Sequence, residues 1–163
     1  MTHNRSEVAI RVEVVNDMLA HARDEAPDEC CGLLLGTRDV ISRSFRARNA
    51  RRSPRAYLID PRDHFAAIKA AREAGAEVVG YYHSHPVSAP DPSDTDLAEV
   101  VPGDYYYVIV SPARFDLTQH RDRPTQRGRH SQRRRRLRFA PDRIAAFWAI
   151  EGNFLPVALV RVG

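Results

Sequence analysis

Gly80-Tyr81-Tyr82-His83-Ser84-His85-Pro86 is the segment around which the rest of the chain can be placed. Val78 to Tyr82 is apolar, β-branched and aromatic, which is strand composition. Residues two apart in a strand share a face, so His83 and His85 present two imidazoles side by side. Pro86 cannot donate to a ladder and ends the strand. Val87 to Pro92 is turn chemistry, and Ser93-Asp94-Thr95-Asp96 has the form of a helix start. Two neutral imidazoles and a carboxylate are a standard three-ligand set for a catalytic zinc, with the fourth position left for water. The set here is His83, His85 and Asp96. Ser93 with Asp96 three residues on is also a capping box, which by itself needs no metal. The two readings are compatible, because a capped helix start can still aim a side chain into a site.

His-Ser-His-Pro, Ser93 eight residues after His85 and Asp96 three further on resemble the full zinc motif of the JAMM (MPN-plus) metallopeptidases. Glu29 is a candidate general base on its own terms, since an acid at the mouth of a buried strand has no packing role. The resemblance supports it: the family carries its general-base glutamate in an early Glu-x-x-Gly-Leu-Leu segment, matched by Glu29 to Leu34. Spacing alone leaves Asp28 and Glu25 open as alternatives. The resemblance further implies that Ser93 donates its hydroxyl to the tetrahedral oxyanion or holds the attacking water. Ser84, on the opposite face of the strand, is expected to be structural. Asp91 and Asp94 are open as outer partners of the histidine N–H groups.

Length and composition fit this frame. A chain of 163 residues is expected to form one domain, residues 1–163, with an irregular arginine-rich insertion at about 114–138. Hydrophobic content of 43% argues against wholesale disorder. No apolar run approaches bilayer-spanning length, and the N-terminus lacks a signal-peptide core, so a cytoplasmic protein without a membrane partner is expected. Cys30 and Cys31 are adjacent, a poor geometry for mutual pairing, and read as small buried strand residues in a reducing compartment. The net charge of +4 is lopsided. Ten arginines against two aspartates between Arg114 and Arg138 make that stretch +8, which leaves −4 for the remainder.

The remaining elements follow in order. Val8–Val12 is an opening strand or a lead into a helix, and apolar spacing from Glu13 predicts a helix closed by Pro27. Cys30–Leu35 reads as a strand buried on both faces. Val40–Arg48 alternates loosely and predicts an edge-like strand, followed by a polar connection over 49–55 and a brief strand at Tyr57–Ile59. Asp60-Pro61-Arg62-Asp63 starts a helix that Gly75 ends. The helix begun at Ser93 is expected to run through Val101. Tyr105–Val110, pieces of Leu137–Ile150, and Asn153–Val162 supply the last strands. The pattern predicts a mixed α/β domain. The JAMM resemblance implies the cytidine-deaminase-like arrangement, a central, mostly antiparallel sheet flanked by helices.

For function, the resemblance implies Zn2+ as cofactor and hydrolysis of a peptide or isopeptide bond at the C-terminus of a ubiquitin-like protein. The lack of a recruiting insert resembles the stand-alone prokaryotic branch, whose partners are ubiquitin-like sulfur carrier proteins ending in Gly-Gly, or their C-terminal adducts. Whether cysteine or a protein lysine leaves is open, as is the oligomeric state, a homodimer included. The alternative is a non-catalytic MPN scaffold or interaction module, against which stand the two histidines, Ser93, Asp96 and Glu29. A zinc deaminase would need His-x-Glu and Pro-Cys-x-x-Cys, which this chain lacks. The arginine-rich stretch has no interleaved aromatics or known module, which argues against nucleic-acid binding.

Overall fold

In the computed structural model the chain builds nine strands and three helices among the described residues, which are 5–116, 138–150 and 152–163. They are β1 (Glu7–Arg11), α1 (Val12–Glu25), β2 (Cys31–Gly36), β3 (Val40–Ala47), α2 (Pro61–Glu73), β4 (Glu77–Ser84), α3 (Asp94–Ala98), β5 (Tyr106–Ser111), β6 (Arg114–Asp116), β7 (Arg138–Ala140), β8 (Arg143–Ile150) and β9 (Asn153–Val162). No described helix is long and apolar enough to cross a membrane.

Seven strands form one sheet in the order β1-β3-β2-β4-β5-β8-β9. It curls until β1 pairs with β9 in parallel, from Glu7 opposite Ala158 to Arg11 opposite Val162. Around β2 and along β5–β8–β9 the pairing is antiparallel, whereas β4–β5 and β1–β3 are parallel. β6 and β7 make a separate two-stranded arm. Residues 117–137, most of the expected insertion, lie outside the described residues.

Both faces of the central strands are covered. Every residue of β2 and β5 is buried, as the continuous apolar run predicts. Leu34, Tyr82, Tyr106 and Val108 join Val14, Val15, Met18 and Ala22 of α1 in one core. Leu33, Leu35, Tyr81, Tyr107 and Ile109 join Ala67 and Ala71 of α2 in another. The small alanines let α2 lie close against β2 and β4. Its start is as the sequence dictates: Asp60 accepts from the Arg62 N–H at 2.8 Å and Pro61 opens the first turn. Gly75, at φ 65°, closes it.

Three local expectations change. β3 is interior, between β1 and β2, and not an edge. Part of its polar alternation is taken up by α1: Ser44 donates to Asp17 at 2.7 Å, and Arg46 reaches Asp17 at 2.7 Å and Asp24 at 3.0 Å. Tyr57–Ile59 forms no strand, only a single bridge between Ile59 and Asn49. α3 stops at Ala98, with Glu99 as its cap, and the chain then turns so that Val101 N–H donates to the Tyr107 hydroxyl at 2.8 Å.

Candidate metal centre

His83 lies near the C-terminal end of β4, opposite Cys31 on β2 and Ile109 on β5. His85 is just beyond the strand, yet its N–H still donates to the Val110 carbonyl at 2.9 Å, so the backbone stays extended through both histidines. Ser84, between them, turns the other way and accepts from the Cys30 N–H at 2.8 Å. The turn after Pro86 folds back on the site: Ser111 donates to the Ser88 carbonyl at 2.7 Å, and His85 Nδ1–H donates to the Ala89 carbonyl at 2.7 Å. That bond leaves His85 Nε2 facing the Asp96 carboxylate. α3 then brings up Asp96 through a complete capping box, with Asp96 N–H donating to Ser93 Oγ at 3.1 Å and Ser93 N–H donating to Asp96 Oδ2 at 2.8 Å.

Donor atoms of three residues converge as a result, with each imidazole facing a different oxygen of one carboxylate. His83 Nε2 is 3.2 Å from His85 Nε2 and 3.2 Å from Asp96 Oδ1, and His85 Nε2 is 3.3 Å from Asp96 Oδ2. Ligand atoms about 2.0–2.1 Å from a tetrahedral zinc stand roughly 3.3 Å apart. The two imidazole nitrogens stand at that spacing, each has a carboxylate oxygen of Asp96 at a similar distance, and one ligand atom from each residue lies within 4.8 Å of the others, so the residues fit the ion that their chemistry suggests. All three are buried, and among the described residues they form the one His/Cys/Asp/Glu cluster with such convergence.

The two rings differ electrostatically: burial disfavours a charged His85, but its bonds to Asp96 and to the Ala89 carbonyl outweigh that and raise its pKa. Burial holds the His83 imidazole below its ordinary pKa, which favours the neutral form a metal needs. Burial works against an ionised Asp96, but the hydrogen bonds from His83 and His85 overcome it and hold the carboxyl well below the usual range.

Glu29 stands beside this cluster, at the entrance to β2. Only 4% of it is exposed, and Oε2 is buried without a hydrogen-bond partner. Burial pushes its pKa up to about 7, with the His85 charge opposing and the Asp96 charge adding. Its backbone is pinned by its own N–H to the Ser53 carbonyl at 2.9 Å and by Asn49 Nδ2–H to its carbonyl at 3.0 Å. Glu25 is exposed and Asp28 half-exposed, so neither shares this environment. Ser93 is half-buried, and since its oxygen accepts from Asp96 N–H, its own proton is left to donate. Asp91 and Asp94 are exposed and bond neither ring, the outer partner of His85 being a backbone carbonyl. Cys30 and Cys31 are buried free thiols.

Two residues of the site escape a reading of the sequence. Tyr57 stacks on His83, and Asn49 ties the 49–58 segment to Glu29. No periodicity or spacing signals a stacking contact between residues so far apart in the chain.

The fold and the buried His-His-Asp cluster beside a glutamate are those of a JAB-type α/β domain, with three residues that could hold a metal ion. The chain belongs to the family described as prokaryotic homologs of the JAB domain, whose model matches residues 11–128. A "CysO-cysteine peptidase" from Mycobacterium tuberculosis is 38% identical over 119 residues, covering 70% of this chain and 82% of that protein. A "Desampylase" from Haloferax volcanii is 36% identical over 114 residues, 66% of this chain and 82% of its own length. The solution structure of a Desulfitobacterium hafniense protein superposes with a TM-score of 0.72 at 24% identity, covering 95% of this chain and 92% of that one.

Proposed function

We propose that this chain is a cytoplasmic zinc peptidase that cleaves the peptide or isopeptide bond after the Gly-Gly end of a ubiquitin-like sulfur carrier protein. One observation carries the reading: two imidazole nitrogens 3.2 Å apart, each 3.2 to 3.3 Å from an oxygen of the same carboxylate, lie beside a buried carboxyl whose pKa is pushed up to about 7. The relatives named as a CysO-cysteine peptidase and a desampylase support the hydrolytic class and the kind of carrier. A Gly-Gly tail suits a confined site because residues without side chains let the backbone approach closely.

His83, His85 and Asp96 would hold the ion, which supplies Lewis acidity and lowers the pKa of a coordinated water toward neutrality. Glu29 takes a proton from the attacking water as the new C–O bond forms. It then delivers that proton to the leaving nitrogen as the C–N bond breaks. Ser93 donates its O–H to the oxygen on which negative charge collects. A base near neutrality suits both halves of Glu29's task, since it must accept a proton and release it within one turnover.

The test is a ubiquitin-like protein ending in Gly-Gly, extended by cysteine in one substrate and joined to a lysine side chain in another. Mass spectrometry should show release after the second glycine in at least one of them, abolished by a chelator and restored by zinc. If neither bond is cut by the zinc-loaded protein, this reading of the substrate fails.

A further inference from the structure

His83 and His85 are held by different means. His85 donates Nδ1–H to the Ala89 carbonyl, the usual way a ligand imidazole is fixed. His83 is 1% exposed, and its Nδ1 is buried with no hydrogen-bond partner. Its ring instead lies stacked against Tyr57, with centroids 4.5 Å apart and planes inclined by 23°.

Tyr57 is itself pinned from both sides. Asn49 Oδ1 accepts from the Leu58 N–H at 3.1 Å and the Arg51 N–H at 3.0 Å. Asn49 Nδ2 donates to the Ala56 carbonyl and to the Glu29 carbonyl, each at 3.0 Å. Every bonding position of that amide is thereby used. One side chain clamps the peptides before and after Tyr57 and, with the same nitrogen, the backbone of Glu29.

We propose that Tyr57 is the positioning residue for His83: its ring face sets the imidazole plane in place of the missing hydrogen bond. Asn49 fixes that face relative to Glu29, so ligand and base are held as one unit. The inference rests on the metal-centre reading above.

Two readouts test it, zinc affinity by chelator competition and the histidine ring signals of the metal-free protein by NMR. Tyr57→Phe keeps the flat face and should leave zinc affinity and the His83 ring signals close to wild type. Tyr57→Leu should weaken zinc about 10- to 100-fold, the usual effect of losing a ligand's outer support. In that variant the His83 ring protons should lose their ring-current shift while those of His85 hold still. If Tyr57→Leu does not fold, Tyr57→Met makes the same comparison with a flexible side chain of similar bulk. Wild-type zinc affinity in the Leu or Met variant would overturn the proposal. So would a Phe variant as weak as Leu, since the hydroxyl would then be the active part. A wild-type protein that binds no zinc would defeat the metal-centre reading, and the His83 ring shift would still decide for or against Tyr57.

Discussion

In the proposed mechanism Glu29 is the residue whose state decides whether the site can work. It must be ionised to accept a proton, and burial pushes its pKa up to about 7. The base is thus lost as pH falls through that pKa, and kcat/KM should decline about tenfold per pH unit on the acid side. A cation held by the neighbouring triad pulls the carboxyl down, so the limb is expected at or below pH 7. Glu29→Gln keeps the size but not the basicity. Its turnover should fall by about 10²–10⁴-fold with zinc retained, read from steady-state kinetics alongside metal content. Near-wild-type turnover would move the role elsewhere. Glycine matters at this scale too. A Cβ on Gly80 would run into the Tyr106 carbonyl, and one on Gly32 into the Tyr82 ring, whose hydroxyl lies 2.8 Å from the buried His21. Gly80→Ala should cost about 1–3 kcal/mol by overpacking, measured as a shift in the denaturation midpoint.

At the scale of elements, the capping box does two jobs. It starts α3, and it holds the Asp96 carboxylate facing His83 and His85. Ser93→Ala removes only the hydroxyl, because Ser93 N–H to Asp96 Oδ2 is a backbone donation that survives. The cap loss should cost about 1 kcal/mol, while turnover drops about 10²–10³-fold with the oxyanion donor. Unchanged turnover beside a lowered melting point would leave Ser93 a cap and nothing more. These local devices were legible in the sequence because each is set by neighbours within a few residues: the Asp60-Pro61 start, Gly75, the His83/His85 parity and the Ser93–Asp96 spacing. The meeting of His83, His85 and Asp96 was legible for the same reason. β3 is interior despite its polar parity because that parity answers to Asp17 and Asp24 on α1, and alternation does not reveal what a polar face meets. Composition places Tyr57 in a strand, and only the fold brings its ring against His83.

Across the whole molecule, closure of the sheet by β1 against β9 unites the two ends of the chain, a pairing no local pattern announces. The arginine-rich segment bears on this scale as well. Asp116 and Arg138 are paired residues of β6 and β7, so their backbones are already adjacent. Replacing residues 117–137 by a short Gly-containing turn is therefore predicted to leave folding and zinc binding intact. Loss of either in the shortened chain, followed by circular dichroism and metal content, would make the segment part of the domain's core.

The most direct test of the metal centre is elemental analysis of purified wild-type protein beside His83→Ala, Asp96→Ala and Glu29→Gln. Wild type and Glu29→Gln should each carry one zinc per chain, whereas the His83 and Asp96 variants should carry almost none while remaining folded. Undiminished zinc in both ligand variants would contradict the assignment of His83, His85 and Asp96, and zinc lost from Glu29→Gln would make Glu29 a ligand in place of a base.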